Sequence, residues 1–265
     1  MLIWSRMIMD MGMKIKQRQA KIVEYVRNKE RVSVEELASL LYISRETIRR
    51  DLTDLANVGK IQKIHGGATL PHGYGEGSFQ QRMSENVEAK AKIAQAALNL
   101  FAEGETIFID TGSTTLYLAE KLWEKSGLTI ITNSTAISKI VSNSSEKNKV
   151  FLLGGEFNAD NQQTIGTMVT AQIRSFRAHH CVLTVGALDK RSGAMDYNIE
   201  EAQIGRAMIE QAQSITVLLD SSKFNQLASF EVCSLAMIDR LICDNMPPKP
   251  LLDALNEANV KVIIA

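Results

Sequence analysis

From Gln17 to Lys29 the apolar residues Ile22 and Val26 fall four apart, the spacing of one helical face. Ser33-Val34-Glu35-Glu36 has the form of a capping box, with Ser33 as cap and Glu36 reaching back. Leu37, Leu40 and Leu41 give this short second helix its buried stripe, and Tyr42-Ile43 interrupts it. Ser44 is placed to cap a third helix, with Ile43 and Ile48 as a hydrophobic staple. Ile48, Leu52 and Leu55 form the inner face of that helix, and Gly59 suits its left-handed stop. Two short helices joined by a tight turn make a helix-turn-helix. Residues 60–68 then read as a strand, a Gly66-Gly67 turn and a return strand, the wing of a winged helix, carrying Lys63 and His65.

Residues 71–78 hold three glycines and a proline, the chain's obvious hinge. Beyond it a helix is expected from Val87 to Phe101, with Ile93, Ala97 and Phe101 on one stripe. Apolar runs then alternate with helical stretches. The strand candidates are Thr106–Ile109, Leu128–Ile131, Val150–Leu153, Cys181–Val185, Ile215–Leu219, Leu241–Ile242 and Val260–Ile264. Unbroken apolar runs of this kind belong to strands covered on both faces, and their alternation with helices predicts an α/β domain with a parallel or mixed sheet. The expected division is a doubtful or disordered extension over 1–12, a winged helix-turn-helix over 13–71, a linker over 72–86 and an α/β domain over 87–265.

Polar, glycine-containing loops follow these strands, where open α/β sheets bind ligands. The first is Asp110-Thr111-Gly112-Ser113-Thr114-Thr115, leading into a helix expected over Thr114–Lys125. A glycine flanked by hydroxyls at a helix start suits a phosphate, and equally an ordinary capped turn. Thr132-Asn133-Ser134, Gly154-Gly155, Gly186 and Asp220-Ser221-Ser222-Lys223 follow later strands. Glu200-Glu201, preceded by Asp196 and Asn198, fits either contacts to ligand hydroxyls or the acidic start of a helix. Neither GxGxxG nor GxxxxGK[ST] occurs, so dinucleotide and nucleoside-triphosphate readings lose their main support and no cofactor is expected.

Charge sharpens the division. The net charge is zero, yet residues 1–70 carry +5 and the remainder −5, so the two parts are suited to different partners. On the third helix Glu46, Arg49, Arg50 and Thr53 lie off the apolar stripe. Arginine forks there suit guanine edges and phosphates, although a solvated charged face has the same spacing. Cys181, Cys233 and Cys243 form no CxxC pair and sit in or beside apolar runs, as core cysteines do. His179-His180-Cys181 has no spaced partner pair to complete a metal site. Arg6 and Asp10 interrupt the apolar start, against a secretory signal, and no stretch reaches about 20 apolar residues, so a cytoplasmic protein without a membrane partner is expected.

Arg18, Ile22 and Val26, followed after 17 residues by Ser44-Arg45-Glu46-Thr47-Ile48-Arg49-Arg50-Asp51-Leu52, resemble the helix-turn-helix of the DeoR family of bacterial regulators. Ile64-His65-Gly66-Gly67-Ala68 is similar to that family's wing. The resemblance continues through Asp110–Thr115, Thr132-Asn133, Gly154-Gly155, Asn198 with Glu200-Glu201-Ala202, and Asp220-Ser221-Ser222-Lys223-Phe224, in the order of the DeoR effector domain. It implies a domain similar to ribose-5-phosphate isomerase that senses phosphorylated sugars or related metabolites. By that resemblance Asp110–Thr115 would take the phosphate, and Asn133, Glu200 and Lys223 would face the sugar. Where many members carry Asp-Gly after the fourth strand, this chain has Gly186-Ala187-Leu188-Asp189, which leaves Asp189 or Asp196 to supply the carboxylate.

The expected protein is a ligand-controlled transcription factor, a repressor of a carbohydrate-utilisation operon, rather than an enzyme. Its partners would be double-stranded operator DNA and a phosphorylated sugar. One head has a small footprint on DNA, which favours a homo-oligomer, dimer or tetramer, on a repeated site. A sugar-phosphate isomerase with an accessory helical domain is the alternative.

Overall fold

The computed structural model describes residues 15–29, 31–57, 60–64, 66–69, 79–144 and 147–265. The chain divides into two compact units, residues 1–75 and 76–265. The expected extension over 1–12, the helix stop at Gly59, the wing residue His65 and the 71–78 hinge lie outside the described residues.

In the first unit, helices α1 (Ile15–Lys29), α2 (Val34–Leu41) and α3 (Arg45–Asn57) enclose a core that includes Ile22, Val26, Leu37, Ile48, Leu52 and Leu55. The capping box forms as its residues require: Glu36 N donates to Ser33 Oγ at 3.1 Å, and Ser33 N donates to Glu36 Oε2 at 2.8 Å. Tyr42, at φ 55°, closes α2 in the left-handed conformation, and Thr47 N donates to Ser44 Oγ at 3.2 Å at the start of α3. The wing strands β2 (Gln62–Ile64) and β3 (Gly67–Thr69) pair antiparallel, and β1 (Arg31–Ser33) joins on the far side of β3. Strand β1 was not expected. Gly67 permits the pairing, because a Cβ there would lie 2.2 Å from the Val32 carbonyl oxygen.

The second unit begins with α4 (Phe79–Ser84), within the stretch expected as linker, and α5 (Val87–Leu98). Seven parallel strands follow: β4 (Thr106–Ile109), β5 (Thr129–Thr132), β6 (Lys149–Leu152), β9 (Ala178–Thr184), β12 (Ala212–Leu219), β14 (Arg240–Cys243) and β15 (Lys261–Ile264). Their order is β15-β14-β12-β9-β4-β5-β6. These are the seven expected runs with small boundary changes. Alternate residues enter opposite cores: Ile107 and Ile109 pack on one face of the sheet and Phe108 on the other. Covering on both faces is why the inner strands read as unbroken apolar runs, whereas the edge strands β6 and β15 are partly exposed.

Helix α6 (Ser113–Ala119) is shorter than expected, with a separate 3-10 turn at Leu122–Glu124. Helices α7 (Thr135–Ser144), α8 (Thr167–Ile173), α9 (Ile199–Glu210) and α10 (Lys249–Glu257) complete the layers. The hairpin β7 (Glu156–Asn158)–β8 (Gln163–Ile165) and the antiparallel sheet β10 (Ala187–Asp189)–β11 (Gly193–Asp196)–β13 (Phe230–Cys233) are additions. The chain runs outward from β4 to β6, returns to β9 beside β4, and runs outward the other way to β15. The carboxyl ends of β4 and β9 therefore flank the topological switch point, where such sheets open a crevice.

Candidate functional site

On the first unit, Ser44, Arg45, Glu46, Arg49 and Arg50 are exposed, and Thr47 and Thr53 are half-buried, while Ile48, Leu52 and Leu55 face the core. Glu46 lies 3.8 Å from both Arg49 and Arg50, and Arg45 lies 3.5 Å from Glu35. Exposed pairs of this kind hold their guanidinium groups weakly. Lys63 Nζ donates to Thr53 Oγ1 at 3.0 Å, so wing and third helix form one continuous polar surface. Beneath it Arg18 on α1 makes a two-pronged bond to Asp51 on α3, 2.5 Å from Nε and 2.9 Å from Nη2. That bond raises the Arg18 pKa further, and it fixes α3 against α1.

On the second unit a cavity opens at the switch point. The β4–α6 loop contributes Asp110, Thr111, Ser113 and Thr114. Asn133 follows β5, Gln163 opens β8, and Asp196 and Glu201 come from the start of α9 and the strand before it. The lining also includes Asp220, Ser222 and Lys223 after β12, with Arg82, Glu85, Asn86 and Lys90 from the α4–α5 corner. A hydroxyl loop, three cations and several carboxylates thus share one cavity. Such a lining suits a ligand with an anionic end and many hydroxyls.

Asp110 is the incompletely bonded carboxyl of this wall. Its Oδ2 accepts Thr184 N at 2.9 Å, while Oδ1 is buried without a hydrogen-bond partner. Burial pushes its pKa well above the usual carboxylate range, the Thr184 amide opposes this, and the nearby Asp196 and Glu201 add to the rise. The upward shift favours the uncharged form, which would repel an incoming phosphate less than a carboxylate does. In the same lining, burial lowers the Lys90 pKa against the pull of Asp220. Lys90 is 3% exposed, and its Nζ donates to the carbonyls of Arg82 and Glu85, the latter at 2.8 Å.

The expected residues divide into lining and supporting groups. Asp110, Thr111, Ser113, Thr114, Asn133, Asp196, Asp220 and Lys223 line the cavity. Gly112 and Thr115 shape the loop instead. A Cβ on Gly112 would lie 1.9 Å from Thr184 Oγ1, and Thr115 Oγ1 donates to the carbonyls of Asp110 and Gly112 at 3.1 and 3.0 Å. Gly154 and Gly155 lie off the cavity: Gly154 is bonded through both backbone groups to Gln172, and a Cβ on Gly155 would lie 2.6 Å from the Ile165 carbonyl oxygen. Asn198 caps α9 by accepting Glu200 N at 2.8 Å, so these two residues start the helix and Glu201 takes the place at the cavity. Asp189 accepts the amides of Arg191 and Ser192 in its own turn, whereas Asp196 lines the cavity.

Arg82, Asn86, Lys90 and Gln163 were not anticipated. They come from a helical corner and a hairpin whose local patterns report packing. His179 Nδ1 accepts Thr106 N at 3.0 Å, and His180 Nε2 lies 3.0 Å from Glu105, so both histidines serve the opposite end of the sheet. Cys181, Cys233 and Cys243 are buried, which raises their thiol pKa values, to about 12 for Cys233 and Cys243. Among the described residues no helix is long and apolar enough to cross a membrane.

Residues 18–73 match the family model of the DeoR-like helix-turn-helix domain, and residues 85–245 that of the DeoR C terminal sensor domain. The chain is 31% identical to the HTH-type transcriptional repressor CsqR of Escherichia coli (strain K12), over 88% of this chain and 89% of that protein. It is 30% identical to the Glycerol-3-phosphate regulon repressor of the same strain, over 94% and 99%. Among solved structures it is similar to ribose 5-phosphate isomerase A from Methanocaldococcus jannaschii, with 16% identity and a TM-score of 0.40 over 53% of this chain and 55% of that one. Two matched domains in the expected order, an arginine-bearing third helix joined to its wing, and a polar cavity at the switch point lead to one assignment: the chain belongs to the DeoR family of transcriptional regulators.

Proposed function

We propose that this regulator is a homo-oligomeric repressor of a carbohydrate-utilisation operon, and that a phosphorylated sugar or related metabolite in the cavity controls its operator affinity. The observation that carries this reading is the polarity of the cavity. Ser113 and Thr114 offer hydroxyls and the start of α6 close to Asp110, whose burial disfavours its charged form, with Lys90 and Lys223 in the same lining to balance phosphate charge. Asp196, Glu201, Asn133 and Gln163 supply acceptors and amides for sugar hydroxyls. The relatives agree with it, since one is named for the glycerol-3-phosphate regulon.

The DNA face comprises Ser44, Arg45, Glu46, Thr47, Arg49, Arg50, Thr53 and Lys63, with His65 expected on the wing. Arginines on α3 read base edges while the wing follows the backbone. The test is operator binding by a mobility shift on the DNA upstream of the gene. Glycerol 3-phosphate, ribose 5-phosphate, glucose 6-phosphate and inorganic phosphate are added in turn. One sugar phosphate changes operator affinity by about tenfold or more, its unphosphorylated counterpart does not, and the ligand is recovered unchanged. Conversion of the ligand to an isomer would favour the enzyme reading instead.

A further inference from the structure

A chain of side-chain hydrogen bonds runs from the phosphate loop to the first helix of the second unit. Thr111 Oγ1 donates to Asn133 Oδ1 at 3.2 Å, and Asn133 Nδ2 donates to Gln163 Oε1 at 3.2 Å. Gln163 Nε2 donates to Glu201 Oε1 at 2.6 Å, and the same oxygen accepts Asn161 Nδ2 at 2.6 Å. Asn161 Oδ1 then accepts Arg82 Nη2 at 3.2 Å. Each of the three amides spends its N–H on one neighbour and its carbonyl on the other. Turning any one of them over breaks bonds on both sides, so the links hold one another in register.

Arg82 belongs to α4, the first described element of the second unit. Helix α4 is fastened at several points, one of them the cavity-lining Lys90. Lys90 holds the carbonyls of Arg82 and Glu85, Tyr117 OH donates to the Met83 carbonyl at 3.3 Å, and the buried Phe79 ring lies under the Arg82 guanidinium at 5.6 Å. Of the six residues in the chain of bonds, Asn161 alone does not line the cavity.

We propose that α4 is the element through which the sensor reports occupancy, and that Asn161 is the positioning residue linking it to the cavity. Glu201 Oε1 already accepts two amide N–H groups. A ligand hydroxyl that donates to Glu201, or a phosphate that draws Thr111 away from Asn133, competes with those bonds and changes what holds Arg82. The ligand favours one of two placements of α4 by its differential contacts, with the fold of the domain unchanged. This inference rests on the proposed occupancy of the cavity by a sugar phosphate.

The test uses the full chain and the panel of sugar phosphates above. Calorimetry measures ligand binding, the mobility shift measures the change in operator affinity, and hydrogen exchange follows residues 79–84. In the parent, the effective sugar phosphate alters exchange over 79–84. Asn161→Ala binds that ligand within about threefold of the parent, while its operator response falls below about threefold and exchange over 79–84 ceases to respond. A parent-like response in Asn161→Ala, or unaltered 79–84 exchange in the liganded parent, overturns the proposal. Loss of ligand binding by about tenfold or more makes Asn161 a binding residue and also overturns it. Should Asn161→Ala melt early, Asn161→Ser, which keeps a small polar residue in the turn, is held to the same criteria. If no sugar phosphate binds the parent, the proposed function falls, and this inference with it.

Discussion

Asp110 and Thr184 are joined across the switch point, the carboxyl of one accepting the amide of the other at 2.9 Å between the ends of β4 and β9. The bond ties together the two strands from which the sheet winds in opposite directions. It also leaves the second oxygen of Asp110 buried beside Asp196 and Glu201. Because the folded-state pKa is raised, this group contributes stability below the unfolded carboxyl value of about 3.9 and loses it as pH rises through the folded value. Asp110→Asn keeps the acceptor for Thr184 and cannot ionise. It is expected to melt higher than the parent at pH 8, with a flatter dependence of melting temperature on pH. Ligand affinity of the parent, but not of the variant, should carry an additional fall with rising pH, read by calorimetry between pH 5 and 9.

Gly112 and Thr184 set a second constraint at the same place. Gly112 is in the extended conformation, so its need is for space rather than for an unusual φ. Gly112→Ala would drive a methyl into the Thr184 side chain, and the loop or β9 must give way. The expected loss is about 1–3 kcal/mol in chemical denaturation, together with weakened ligand binding. Adding Thr184→Ala, which removes the nearest atom, should recover part of both.

Arg18 and Asp51 test the platform beneath the DNA face. Asp51 is 2% exposed, so removing its cation leaves a carboxylate in the core. Arg18→Ala is expected to destabilise the DNA-binding unit by about 3 kcal/mol, and to weaken operator binding through the loss of α3 placement. Thermal unfolding of the full chain, followed by circular dichroism, should show an early transition for the first unit and an unchanged one for the second.

Arg49 and Arg50 test the surface itself. Each alanine variant should weaken operator binding by about 1–3 kcal/mol if its guanidinium forks onto a base edge, with little change in melting. A lysine at the same position restores charge but not the fork. Lysine variants that bind as well as the parent would show that the contact is to phosphate.

The larger elements were legible because their residues have a local reason to be there. Ser33 and Glu36 cap each other, Ile48, Leu52 and Leu55 mark the inner face of α3, and the seven strands of the parallel sheet appear as seven apolar runs. The short strands β1, β7 and β10 were not, since three residues cannot show a period of two, whereas the equally short β2 and β3 were marked by the glycine turn between them. At the cavity the Asp110–Thr114 loop was legible from its hydroxyls and glycine after a strand. Glu201 was read together with Glu200, and only the cap at Asn198 decides which of them faces the cavity. Lys90, Arg82 and Gln163 reach the cavity through tertiary contacts across large sequence separations, and nothing beside them in the chain announces it.

In the proposed function, occupancy of the Asp110–Thr115 loop controls the hold of the first unit on DNA. Ser113→Asp tests it most directly. Ser113 is 7% exposed at the start of α6, where an acidic residue is compatible with the helix, and its carboxylate would occupy the place of the ligand's phosphate. Operator affinity is measured by mobility shift with and without the effective sugar phosphate. Ser113→Asp should bind operator to the same extent with or without the ligand, while the parent shifts by about tenfold or more. A variant that responds to the sugar phosphate as the parent does would contradict it.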